Sequence, residues 1–221
     1  MTVRAKICGI RSEGDLRAAV AGGADAVGFI CGVTHFSEDA LDVEGARRLV
    51  GMTPPFVDRV LVTHLAEAGA IVELAERVGV DTIQVHGLVD AGTLRRVKRG
   101  AGGRRVLRAV HVTGGEALEV AREAAADCDG VLLDSRTAER LGGTGETHDW
   151  SISARIVAEL GCPVILAGGL TPATVRAAVA MVAPFAVDVN SGVEDGRGDK
   201  VAAACAAFVR AAHGGAETEI V

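Results

Sequence analysis

The sequence predicts a single (β/α)8 barrel over residues 1–213, followed by a frayed tail over 214–221, and three observations predict it. Short, nearly continuous apolar runs alternate with longer amphipathic stretches; there are eight such runs; and no Gly-x-Gly-x-x-Gly follows the first of them. Apolar runs joined by helical patterns imply parallel strands covered by helices. The regular repeat without a dinucleotide fingerprint favours a closed barrel over an open doubly wound sheet.

The runs begin near Val3, Asp25, Val57, Asp81, Arg104, Asp129, Cys162 and Phe185. Between them lie helical patterns such as SEGDLRAAVAGG, EAGAIVELAERVG and TPATVRAAVAMV. The last of these places Thr171 as an N-cap and Pro172 at the first helical position. Strand starts fall about 22 to 25 residues apart, but about 32 after the second and sixth runs, so the loops there are candidate substrate-gripping segments.

Composition narrows the function. The chain has 221 residues, 49% of them apolar, with 29 Gly, one Trp, five Phe and no Tyr. So few aromatics do not suit base stacking, and with a formal charge of −6 and scattered Lys and Arg there is no basic footprint for nucleic acid or a membrane surface. Five widely spaced cysteines with no Cys-x-x-Cys suggest free thiols in a reducing compartment. A charged first strand in place of a signal peptide, and no long apolar run, lead to the expectation of a cytoplasmic protein.

Barrel active sites are built at the C-terminal ends of the strands. There the chain carries Lys6, Cys8 and Gly9 after the first run, Asp134 after the sixth, Gly168-Gly169 after the seventh and Ser191-Gly192 after the eighth. A single glycine turn is ordinary packing, but two at the positions where barrels often bind phosphate point to a phosphate held by backbone N–H groups.

KICGIR at 6–11, GADAVGF at 23–29, QVHG at 84–87, LLDS with GGTGETHDW at 132–150, LAGGL at 166–170 and PFAVDVNSGVE at 184–194 cover nearly the whole chain. In this order they resemble the phosphoribosylanthranilate isomerase family of tryptophan biosynthesis. The resemblance implies a cofactor-free Amadori rearrangement. N-(5-phosphoribosyl)anthranilate would become 1-(o-carboxyphenylamino)-1-deoxyribulose 5-phosphate, with Cys8 as the base and Asp134 as the acid. It also implies substrate contacts at Lys6, Gly9, Arg11, His86 and Asp188, and phosphate contacts at Gly143, Gly145, Gly168, Gly169, Ser191 and Gly192. Members are monomers or homodimers, and the expected partner is a small phosphoribosyl compound.

Three departures fall at the amine's end of the site. Asp39 stands where the family carries an Arg for the anthranilate carboxylate, Glu146 replaces a Lys, and His64 replaces an Asn. Arg11 and Arg136 are the nearby cations that would substitute. These changes leave open an isomerase for another phosphoribosyl amine. With His86 and His111, they also leave open a divalent metal held by His35, His64 and Asp39 or Glu38, as in a metal-dependent epimerase or aldolase. A phosphoribosyl-binding protein that has lost the reaction is disfavoured, because Cys8 and Asp134 both remain. Cys31 and Trp150 read as packing residues.

Overall fold

In the computed structural model, which describes residues 2–34, 36–135 and 149–214, the chain closes into a parallel barrel. The strands are β1 (Arg4–Ile7), β2 (Ala26–Cys31), β3 (Ala40–Leu41), β4 (Asp58–Thr63), β5 (Thr82–Val85), β6 (Arg105–Val112), β7 (Gly130–Ser135), β8 (Val164–Leu166) and β9 (Ala186–Val189). Hydrogen bonding runs β1-β9-β8-β7-β6-β5-β4-β2, and the β1–β2 pairing closes the ring. All eight expected strands are present. The ninth, β3, is a two-residue strip paired with Ile30 and Cys31 outside the ring, inside the long loop after β2. The other long loop, 136–148, lies outside the described residues, as do His35 and the tail from 215.

The helices are α1 (Glu13–Ala21), α2 (Val43–Met52), α3 (Ala68–Val78), α4 (Ala91–Gly100), α5 (Ala117–Ala125), α6 (Trp150–Glu159), α7 (Val175–Val182) and α8 (Ala202–Ala212). Several are started by side-chain caps. Ser12 and Asp15 form a reciprocal capping box on α1, and Asp42, Glu67 and Asp90 take the N–H three residues ahead. Helix α7 begins at Val175 rather than Pro172. Residues 172–174 form a turn in which the Thr171 hydroxyl takes the Thr174 N–H, so the expected cap acts one turn ahead of the regular helix.

The outward strand faces pack under the helices in the largest apolar cluster, which contains Phe29, Leu61, Ile83, Leu49, Ile71 and Phe208. Cys31 and Trp150 belong to that packing, Cys31 fully and Trp150 in part. The barrel's lower end, where strands begin, is tied by carboxylates. Asp25 accepts from the Ala5 N–H (2.8 Å), Asp81 from Arg59 (3.1 Å) and Asp129 from Val106 (2.7 Å). Each Asp immediately precedes the residue in register with the next one on the neighbouring strand: Ala26 with Lys6, Thr82 with Val60, Gly130 with Leu107. The same bond therefore recurs three times around the ring and fixes the stagger of the strands.

Candidate active site

Side chains two apart on a strand share a face. Leu107 and Leu132 pack inside the barrel, so the inward face continues upward to His111 on β6 and Asp134 on β7. By the same period Thr82, Gln84 and His86 stand in one column at β5, and Lys6 lies below Cys8 at β1. Cys8, His86, His111 and Asp134 thus stand at the top of inward columns, at the strands' C-terminal ends.

On one side of the mouth, Lys6 and Asp188 are register partners, and Lys6 Nζ donates to Asp188 Oδ1 at 2.9 Å in a buried ion pair. Burial opposes the charge on Lys6, but Asp188 and then Cys8 outweigh it and raise its pKa well above the ordinary lysine value. Cys8 is held by its own N–H to the Val189 carbonyl (2.8 Å) and is 5% exposed. Burial pushes its thiol up; the Lys6 charge and hydrogen bond pull in the other direction without overcoming it.

The room for this pair comes from Gly28 on β2. A Cβ there would lie 2.7 Å from Cys8 Sγ and 3.0 Å from Lys6 Cε. Gly28→Ala is expected to displace the thiol and lower kcat by about 10²-fold, the cost of misplacing a reacting group by about 1 Å. Steady-state kinetics on the folded variant check this, and a loss under threefold would show that the thiol's placement is not critical.

Across the mouth, His86 Nε2 lies 3.4 Å from Asp134 Oδ2, both side chains 15% exposed. Gln84 Nε2 donates to His86 Nδ1 at 3.1 Å, which puts the ring proton on Nε2, facing the carboxylate. The rings of His64 and His111 flank His86 edge-on, with centroids 5.1 and 5.4 Å away. From the outer face of β6, Arg108 donates to the carbonyls of Val85 (3.1 Å) and Gly87 (2.7 Å), clamping the backbone on both sides of His86.

After β8, Gly168 and Gly169 take φ of 86° and 65°, a left-handed pair that glycine adopts without strain. After β9, a Cβ on Gly192 would stand 2.0 Å from the Leu170 carbonyl oxygen, so only glycine lets the two turns press together. Ser191 lies exposed at the start of the same turn. Successive N–H groups in such a left-handed pair form a concavity suited to an oxyanion. Gly143 and Gly145 lie outside the described residues.

Asp39 does not face the mouth as a bare acid. It accepts from Asn190 Nδ2 (2.8 Å) and lies 3.7 Å from Arg11 Nε. Arg11 also reaches the Arg197 carbonyl (3.2 Å) and Asp199 (3.3 Å), and Lys200 donates to Asn190 and Glu194. Arg136 lies outside the described residues. Of the metal candidates His35, His64 and Asp39, His35 lies outside the described residues and Asp39 is drawn toward Arg11 and Asn190. A different trio, His86, His111 and Asp134, has ligand atoms all within 4.8 Å of one another.

The sequence assigns no task to Gly28, Gln84 and Asn190, although they lie inside the quoted motifs, and does not single out Arg108 or Lys200. Gln84 was legible in principle, two residues before His86 on one strand. A cavity of about 560 Å³ lies at the opposite, lower end of the barrel, among Arg4, Asp25, Phe56, Asp58, Asp81 and Phe185, away from the thiol and Asp134.

Comparison with known proteins finds relatives that match nearly the whole chain. The sequence pattern of a family described as N-(5'phosphoribosyl)anthranilate (PRA) isomerase matches residues 5–211. An N-(5'-phosphoribosyl)anthranilate isomerase of Methanothrix thermoacetophila is 42% identical over 201 residues, 90% of this chain and 94% of that one. That of Haloferax volcanii is 44% identical over 209 residues, covering 95% and 92%. The crystal structure of the Thermotoga maritima enzyme is similar with a TM-score of 0.85 and 36% identity, over 96% of this chain and 99% of that one. A further isomerase structure contains reduced 1-(o-carboxyphenylamino)-1-deoxyribulose 5-phosphate; it has a TM-score of 0.82 and 34% identity, with the same coverage.

Proposed function

Because this chain belongs to the N-(5'-phosphoribosyl)anthranilate isomerase family, we propose that its barrel mouth performs that family's rearrangement with Cys8 as base and Asp134 as acid. The chain is an aldose–ketose isomerase of tryptophan biosynthesis. Asp134 protonates the ribose ring oxygen, and the ring opens to a Schiff base. Cys8 then removes the C2′ proton, and the enolamine becomes the ketone of the product. The single observation that carries this reading is the pair of groups crowning inward columns on β1 and β7 of one barrel, three strands apart around the ring.

Each supporting residue has a physical task. Lys6, locked to Asp188, supplies a fixed positive charge beside Cys8, which offsets part of the upward push that burial gives the thiol. His86 Nε2–H faces Asp134 and orients the carboxyl toward the ring oxygen. Gly168, Gly169, Ser191 and Gly192 hold the phosphate through backbone N–H groups; Gly143 and Gly145, which the family resemblance adds to them, lie outside the described residues. Gly9 lets the chain turn tightly against Asn190, since a Cβ there would lie 2.2 Å from Asn190 Oδ1. Arg11 meets the amine's end, already neutralised in part by Asp39.

That pairing also supports a second reading, an isomerase whose amine lacks a carboxylate, because Arg11 is engaged before substrate arrives. The partner is a small phosphoribosyl compound. No described helix is long and apolar enough to cross a membrane, and the free thiols support a cytoplasmic setting. A monomer or a homodimer is the expected assembly.

Turnover of freshly generated phosphoribosylanthranilate, followed by loss of anthranilate fluorescence, tests the assignment. Saturable turnover is expected. A well-folded protein inactive on this substrate but active on a decarboxylated analogue would instead establish the second reading.

A further inference from the structure

We infer that His86, His111 and Asp134 form a binding site for one zinc-like divalent cation, whose occupancy switches the isomerase off. The three ligand atoms come from the ends of three adjacent strands, β5, β6 and β7, and His111 and Asp134 are register partners. Two ligands each about 2.1 Å from a tetrahedral zinc ion stand about 3.4 Å apart. His86 Nε2 and Asp134 Oδ2 are 3.4 Å apart before any metal enters. The third ligand atom lies within 4.8 Å of both, a gap that side-chain rotation closes. All three residues are half-buried at the mouth, which gives an ion access and leaves a fourth position to water.

A second, independent observation comes from Gln84. It is 1% exposed, and its Oε1 is buried without a hydrogen-bond partner. Its Nε2 now donates to His86 Nδ1, which keeps the proton on Nε2. A metal on Nε2 requires the other tautomer, with Nδ1–H donating outward. Rotating the Gln84 amide by half a turn puts the orphaned Oε1 where it accepts that proton. A metal-ligating His is normally oriented by such an acceptor behind it. The same residue pair thus supports a metal-free state, with His86 turned to Asp134, and a metal-bound one.

Two imidazoles and one carboxylate suit zinc or cobalt(II) better than magnesium. One carboxylate leaves the divalent complex with a net charge of +1. A cation on Asp134 occupies the oxygen that must carry the proton to substrate. Inhibition therefore rests on the isomerase reading, whereas binding does not.

Cobalt(II), added alone to chelator-stripped protein, should bind one per chain with visible d–d bands and no thiolate-to-cobalt charge-transfer band, which separates this site from Cys8. Zinc should displace it and suppress turnover. His111→Asn should abolish the d–d bands and leave turnover insensitive to zinc. Gln84→Leu should weaken zinc binding by about 10–100-fold. Should His111→Asn fail to fold by circular dichroism, His86→Gln replaces it in the cobalt titration. Absence of binding, a thiolate band, or unchanged binding in the folded His variant would overturn the site. Binding in a protein without isomerase activity would leave the site standing and remove only its inhibitory role.

Discussion

Cys8→Ser lowers kcat by about 10²–10⁴-fold with little change in KM, and Asp134→Asn does the same, the range expected for losing a positioned base or acid. Serine is nearly isosteric with cysteine, so the tight fit against Gly28 survives. Its hydroxyl, however, is far less acidic than a thiol and does not supply the anion that takes the C2′ proton. Asparagine keeps the shape of Asp134 and its reach toward His86 but has no carboxyl proton to give. The wild-type pH profile provides an internal check. Burial raises the Cys8 thiol above its ordinary value, and the reactive form is the thiolate, so kcat/KM should climb from neutral into the alkaline range. That climb should be missing from the residual activity of Cys8→Ser. A serine variant within tenfold of wild type, or a flat wild-type profile, would remove the thiol from the role of base.

Lys6→Met destabilises the fold by about 3–5 kcal/mol, the typical cost of leaving one member of a buried ion pair uncompensated. The pair it breaks is deep, with side chains 6% and 9% exposed and a 2.9 Å contact between register partners. With Met in place, the Asp188 carboxylate must be buried alone or take up a proton. Asp188→Asn strands Lys6 in the same way and should cost a similar amount. The double variant Lys6→Met/Asp188→Leu should regain most of the loss, because two well-packed apolar side chains of similar size require no charge to be desolvated. Urea unfolding of the four proteins measures this. Single variants within about 1 kcal/mol of wild type would mean that water reaches the pair and screens it.

Much of this was readable from residue order, for a physical reason. Parallel strands are buried on both faces, so they appear as unbroken apolar runs whatever helices surround them. The runs at Val3, Asp25, Val57, Asp81, Arg104, Asp129 and Phe185 each begin within a residue of the strand itself, and that at Cys162 two residues ahead of it. Strip β3 has only two residues and no period to detect, and α7 starts late because the turn at 172–174 precedes its regular bonding. The site's crown was legible because strand ends are marked by the change from apolar to polar residues. Its contacts were not. Asp39 aligned to a position that grips a carboxylate, yet its partners are Arg11, 28 residues earlier, and Asn190, 151 residues later. Only closure of the ring brings those loops together. Gly28 lies inside the GADAVGF motif, and what it accommodates depends on a thiol from the neighbouring strand.

The carboxylates at the base of the barrel bear on how the chain divides into building blocks. Asp25, Asp81 and Asp129 each sit immediately ahead of one strand but complete the hydrogen bonding of the strand before it. A strand with its own helix is therefore an open piece, lacking the acceptor that closes its lower edge. The self-sufficient module runs on through the following Asp. A chain cut just ahead of Asp81 leaves an N-terminal piece with the Arg59 N–H unanswered, whereas one cut after it carries the acceptor along. Fragments meant to reassemble into this barrel, or segments exchanged with a related one, keep their base intact when the junction falls beyond these aspartates.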